Sequence, residues 1–268
     1  MAHDTVRLTR QGAVTRVALD RPEVRNAFND EMLVDLLEAF AAIRDDPEVR
    51  VAVLTGEGPC FCAGADVNWM KRVVDYSQQE NYEDSLRLAL MLHEIYSCPK
   101  PVIARINGPA IGGGTGLVAV CDIAIAAEDA VFGITETKLG VIPAAISPYL
   151  LKRMGERNLK EYTLTGERFK APRAAELGLI NAVVPAAELD AAVDDRIEKI
   201  LTGGPEALAA SKQLIRGIAE RSLEDNGPYT ANLITQRRMS AEGQEGMNAF
   251  LEKVKPRWVI DAEESAAR

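Results

Sequence analysis

A chain of 268 residues, 47% hydrophobic and 26% charged, has the size and make-up to fold around a substantial core. Its formal net charge of −9 speaks against a general nucleic-acid or anionic-membrane binder, since both depend on basic surface. No apolar run reaches spanning length, and "MAHDTVRLTRQG" lacks the apolar centre of a signal peptide, so an intracellular, cytoplasmic protein without membrane contact is expected.

In chain order, "AVTRVALD" reads as a strand ending at the turn "RPEVRNA". "NDEMLVDLLEAFAAIRDD" follows with apolar residues at helical spacing and Asn29 or Asp30 as N-cap. "VRVAVLTGEG" is a continuous apolar strand stopped by glycine. "PCFCAGADVNWMKRVVDYSQQ" reads as a long loop and "NYEDSLRLALMLHEIYS" as a helix. "KPVIARING" is a second buried strand leading into "GGGTG", after which an apolar helix starts near Gly114. "CDIAIAAEDAVFG" supplies a further strand and a return. Buried strands separated by helices predict an α/β fold with parallel pairing. Beyond about residue 185 the chain reads as helix after helix, broken at Gly203–Gly204 and Gly227–Pro228. Such a segment covers its own core or packs on another subunit.

The catalytic inventory is narrow. His3 falls in a terminus expected to fray, and His93 sits in an amphipathic helix pattern, so a Ser/His/Asp triad or a histidine zinc site is disfavoured. Cys60, Cys62, Cys98 and Cys121 have neither zinc nor CxxC spacing and are expected as buried free thiols. Carboxylates, backbone dipoles and a lysine remain.

The glycines Gly112, Gly113, Gly114 and Gly116 admit three readings: a tight strand-to-helix turn, a phosphate loop, or an oxyanion hole. Neither G-x-G-x-x-G nor GxxxxGK[ST] is matched. For the third reading, the first N–H groups of a helix lack internal partners, and glycine lets an oxygen approach them; each donor would stabilise an enolate by ~3 kcal/mol. A second small-residue turn, "FCAGADVNWM", again follows an apolar strand, so each turn can supply one donor.

These two elements, with "RPEVRNAF" before and "FGITETKLGVIP", "LTGERFKAPRAAELGLINAVVP" and "EGMNAFLEKVKPRW" after, together resemble the enoyl-CoA hydratase/isomerase (crotonase) superfamily. The resemblance implies a spiral of β-β-α units, with a core over residues 1–195 and a helical oligomerisation region over 196–268. It implies a homotrimer, or a hexamer formed as a dimer of trimers. The N–H groups of Ala65 and Gly113 would hold the thioester oxygen of an acyl-CoA substrate. CoA would lie against Arg25, Asn26 and Ala27 and against Ala63, Ala65, Asp66 and Val67, and Phe250 and Lys253 would reach it from a neighbouring subunit. No metal and no separate cofactor are implied, CoA being part of the substrate.

Typical hydratases of the family hold water between two glutamates. One position is Gly116 here; the other is present as Glu136. Walls such as Ile134, Leu139 and Ile142 would disfavour the charged carboxylate and move its proton affinity towards the working pH. Hydration of a 2-enoyl-CoA, double-bond migration by a single base, thioester hydrolysis, and a non-catalytic CoA-binding scaffold all remain open. "ETKLGVIPAAISPYLLKRMGER" and "GGGTGL" are similar to bacterial 3-methylglutaconyl-CoA hydratases, which favours hydration of a short or branched enoyl-CoA. Ala144 would then offer its N–H to water, Ser147 and Tyr149 would help replace the missing carboxylate, and Lys71 or Arg72 would meet a distal carboxylate of the acyl group.

Overall fold

The computed structural model describes residues 3–259. β1 (Val6–Gln11) and β2 (Val14–Leu19) form a hairpin that turns at Gly12, where φ is +55°. The sequence pattern does not announce β1, because it is an edge strand with only Val6 buried. α1 (Asp30–Asp45) starts where the Asn29 side chain accepts from the Met32 N–H; it buries Met32, Leu33, Leu36, Phe40 and Ile43 along one face. The terminus ahead of β1 is held rather than frayed: Asp35 of α1 accepts from Thr5 and lies 3.4 Å from His3 Nδ1.

β3 (Val51–Gly56) is buried throughout, as a central parallel strand should be. The segment read as a long loop contains α2 (Val67–Val74), whose cap is the carboxylate of Asp66. α3 (Gln78–Ser97) begins with a Ser77/Glu80 capping box. β4 (Val102–Ile106), the two-residue β5 (Ala110–Ile111), α4 (Gly113–Val120), β6 (Ile123–Ala127) and β7 (Val131–Gly133) follow. A 3-10 turn at Glu136–Leu139 leads to α5 (Ser147–Thr165), interrupted at Gly155. β8 (Arg168–Lys170), α6 (Ala171–Glu176), β9 (Ala182–Val184), α7 (Leu189–Leu201), α8 (Pro205–Ala219), α9 (Leu223–Met239) and α10 (Ala241–Glu252) complete the fold.

The main sheet runs β1-β2-β3-β4-β6-β9, parallel from β2 onwards; a small sheet runs β5-β7-β8. One face of the main sheet packs on α1, α3, α4 and α5. The other buries Val51, Val53, Ile103 and Ile125 under Leu189 and Val193 of α7. The division expected after residue 195 falls inside α7, whose apolar side belongs to the core; the helices that bury no residue are α8 and α9. The expected break at Gly227–Pro228 lies within α9. Ser222 caps that helix and Ser240 caps α10, and these serines mark the true ends.

Arg50, just before β3, joins the two parts. It donates to the carbonyls of Leu201, Gly203 and Trp258, and burial lowers its pKa. All four cysteines are free and buried, and burial pushes the thiols of Cys62 and Cys121 up to about 12.

Candidate active site

Two turns meet beyond the C-terminal ends of β3 and β4. The first is built on buried Asn26, whose side chain donates to the carbonyls of Glu57 and Cys60 and accepts from the Arg21 N–H. Arg25 and Asn26 both have left-handed backbone, which folds this corner back on itself. Phe28 and Ala65 then form a parallel bridge: Phe28 N–H donates to the Gly64 carbonyl, and Asp66 N–H to that of Phe28. A bridge of this kind directs the N–H of Ala65 off the opposite edge, where it has no acceptor among the described residues.

Asp66 is buried with both oxygens engaged. Oδ1 accepts from the N–H groups of Asn68 and Trp69, and Oδ2 accepts from Arg21, 2.9 Å away. Burial opposes its charge, but these donors outweigh it and hold its carboxyl below the usual range. Its side chain therefore anchors the turn and is not available to a ligand. Ala27 is buried, Ala63 donates its N–H to the Arg25 carbonyl, and Val67 is exposed. The Arg25 side chain is exposed and has no ion-pair or hydrogen-bond partner among the described residues.

The second turn is packed closely against the first, largely through backbone. Cys62 and Ala110 form a parallel bridge, and Ile111 N–H donates to the Cys62 carbonyl. A Cβ on Gly64 would stand 2.9 Å from the Ile111 carbonyl oxygen, and one on Gly114 would run into the Cys62 carbonyl. Gly112 has φ +55° and donates to the Gly133 carbonyl at 2.8 Å. Gly113 opens α4, so its N–H has no acceptor within the helix, and its missing side chain makes room for the ring of Phe28.

Glu136 reaches this turn from the small sheet. A Cβ on Gly112 would lie 3.2 Å from Glu136 Oε1, so the bare backbone there gives the carboxylate room. Oε2 is buried and has no hydrogen-bond partner. Burial raises the Glu136 pKa, against the opposing pull of the N–H groups of Glu136 and Thr135. Ile134 is buried, but Leu139 and Ile142 are exposed within one chain and do not wall the carboxylate as expected.

Several expected helpers lie elsewhere. The N–H of Ala144 donates to the Ile142 carbonyl at 2.8 Å, closing a tight turn over Pro143, so it is not available to water. Ser147 donates to the Pro143 carbonyl, and the Tyr149 ring packs on Tyr96 with centroids 5.0 Å apart. Arg72 is paired with Asp30, whereas Lys71 is exposed and has no partner among the described residues. Phe250 and Lys253 are exposed on α10, which packs on α8 and α9. The chain just beyond them binds Arg50 at the start of β3, opposite to the strand end that leads to the first turn.

At Gly116 the direction a side chain would take is filled by buried Ile146, whose Cβ would be 2.8 Å away. Sequence reading missed Ile146, Arg21 and Thr115. The Thr115 hydroxyl lies 2.7 Å from the Ala110 carbonyl oxygen. Only its being the sole polar residue in a glycine-rich apolar run could have marked it. Two N–H donors without acceptors among the described residues, on turns that pack together next to a carboxylate with raised proton affinity, can hold an oxygen that gains charge and exchange a proton near it.

This architecture is the crotonase fold. A crystal structure of an enoyl-CoA hydratase from Shewanella pealeana superposes with a TM-score of 0.93 and 36% identity, over 96% of both chains. Residues 9–260 match the family model described as enoyl-CoA hydratase/isomerase, and the chain belongs to that family. A Thermus thermophilus relative that carries the name enoyl-CoA hydratase is 37% identical over 92% of this chain and 98% of its own. A carnitinyl-CoA dehydratase of Salmonella typhi is 32% identical over 95% of this chain and 98% of its own. The protein is thus an enzyme of the enoyl-CoA hydratase type, a lyase by class.

Proposed function

We propose that the protein adds water across the 2,3 double bond of an enoyl-CoA, or removes it, with 3-methylglutaconyl-CoA or a related short branched ester as substrate. The observation that carries the reading is the buried, unpartnered Oε2 of Glu136, on a carboxylate whose other oxygen lies against Gly112. In hydration, the Glu136 carboxylate takes a proton from water as its oxygen attacks C3. The electron pair moves to the thioester oxygen, held by the N–H groups of Ala65 and Gly113. The enolate then collapses as Glu136 returns the proton to C2, so water is added and the enzyme is regenerated. Removal of water follows the same path in reverse.

Arg25, exposed beside the first turn, suits a phosphate of CoA, with the backbone of Ala63 to Val67 alongside. Lys71, exposed and without a partner among the described residues, suits a distal carboxylate. The homotrimer, or dimer of trimers, finds support in α8 and α9, which bury nothing in one chain, and in Phe250 and Lys253, whose exposed side chains suit a neighbour's CoA.

A second reading, double-bond migration, is favoured by one observation. Ile146 fills the space at Gly116, where typical hydratases of the family carry their other carboxylate, while Glu136 lies against Gly112. A panel of CoA esters separates the readings. Loss of enoyl-thioester absorbance with 3-methylglutaconyl-CoA is expected. Migration of a 3-enoyl double bond without water uptake would favour the isomerase, and CoA binding with no turnover would favour a scaffold. Glu136→Gln should lower turnover by roughly 100-fold or more while CoA binding persists; near-normal turnover would remove Glu136 from the mechanism.

A further inference from the structure

We propose that Thr115 is a positioning residue. Its hydroxyl pins the two backbone arms that carry Gly113 and Glu136, and so sets the separation between the N–H that meets the thioester oxygen and the carboxylate that moves the proton. The proposal rests on the roles given above to those two residues.

Thr115 is wholly buried in the first turn of α4. Its Oγ1 lies 2.7 Å from the Ala110 carbonyl oxygen, 3.0 Å from that of Gly133, and 3.4 Å from the Gly133 nitrogen. A hydroxyl carries one hydrogen and two lone pairs. Both carbonyls can accept its hydrogen; the shorter contact favours Ala110, and a lone pair of the hydroxyl faces the Gly133 N–H. The hydroxyl therefore sits at the end of the β5–β7 pairing, where Ile111 lies opposite Gly133.

That pairing holds only two residue pairs, too few to fix the junction by ladder bonds alone. From Ala110 the chain runs three residues to Gly113, and from Gly133 it runs three residues to Glu136. Both arms are thus anchored, the same number of residues back, on one side-chain oxygen. No other polar side chain lies in Gly112–Val120, except that hydroxyl, to hold the second turn.

The test compares Thr115→Val, which keeps the shape and loses the hydroxyl, with Thr115→Ser, which keeps the hydroxyl. Crotonyl-CoA and 3-methylglutaconyl-CoA serve as substrates. Thr115→Val should lower kcat roughly 30-fold with KM moved by less than about threefold, because small misplacements of reacting groups are costly. Thr115→Ser should stay within about threefold of the parent in both. The acid limb of the kcat/KM profile should move to lower pH in Thr115→Val, since a loosened carboxylate is better solvated and easier to ionise. A mere loss of folded protein would leave that limb in place.

A carbon-13 NMR titration of the glutamate carboxyls, with Glu136→Gln identifying the resonance, reads the same displacement without turnover. Glu136 should titrate nearer the ordinary 4.5 in Thr115→Val than in the parent. If the parent turns over neither ester, the functional reading fails and this titration still decides the role of Thr115. An unmoved titration and pH limb in Thr115→Val, or a Thr115→Ser as impaired as Thr115→Val, would overturn the proposal. Should Thr115→Val not fold, Thr115→Cys is compared with Thr115→Ser; the thiol is a weak donor, and equal behaviour of the two would also overturn it.

Discussion

The two turns at the site solve one problem by different means. Around Ala65 the backbone is tied by side chains: Asn26 to two carbonyls, Asp66 to two N–H groups, and Arg21 to Asp66 and Ala27. Around Gly113 the backbone is pressed directly on Cys62, Phe28 and the Glu136 carboxylate, leaving little room for a Cβ. The first arrangement fixes a loop while leaving its outer face exposed for a ligand. The second removes side chains so that a carboxylate and a helix end can share one place. The difference teaches that the first turn should respond to polar substitutions mainly through stability and binding. The second should respond to a single methyl group through turnover.

The sharpest contrast lies between Gly112→Ala and Ala65→Gly. The former forces a Cβ into a backbone with φ +55° and against Glu136 Oε1. Initial rates should show kcat reduced by roughly 100-fold. Ala65→Gly, at an exposed position, should remain within about threefold of the parent. Equal losses would abolish the distinction between the turns.

Next in size is Asp66→Ala, which removes the cap of α2 and leaves Arg21 without its ion pair. Urea unfolding at neutral pH should register a loss of about 2 kcal/mol. Because the folded-state pKa of Asp66 is depressed, its contribution is present above 3.8, the ordinary value, and fades as pH falls through the lower folded value. The gap between parent and variant should narrow there.

Glu136→Gln should act in the opposite sense on stability. The folded pKa is raised, so the contribution of this group is full below 4.5 and is lost as pH rises through the folded value. At neutral pH the glutamine variant should melt about 2–4 °C higher than the parent, and the advantage should disappear in acid. The smallest effect is expected for Arg25→Gln: a rise in KM for the CoA ester of about threefold, with unchanged melting, as befits an exposed ion pair with a ligand phosphate.

What the sequence made legible follows from how local each feature is. The GGGTG turn, the buried β3 and β4 and the capped α1 are written in adjacent residues. β1 escaped because a mostly exposed edge strand has no apolar stripe to display. α2 escaped because eight residues with only Trp69 buried carry too little periodicity, though Asp66 was there as its cap. Glu136 stood out by its place in the family pattern, since nothing near it in sequence shows that it returns to Gly112. The contacts of Ile146 with Gly116 and of Thr115 with Gly133 join distant segments, and no window along the chain contains either pair. Ala144 misled for a related reason: its N–H is claimed by Ile142 in a turn whose geometry depends on Pro143.

Arg50 gives the helical tail a different significance from that of an appended arm. Its guanidinium holds carbonyls at the end of α7, before α8, and beyond α10, while Glu242 of α10 caps the start of α8 from a buried position. Peeling the tail away would therefore strip the arginine at the entrance of a central strand of its hydrogen-bond acceptors. Sheet and tail should consequently exchange amide hydrogens as one cooperative unit, and a chain cut after α7 should lose stability at β3, far from the cut in sequence.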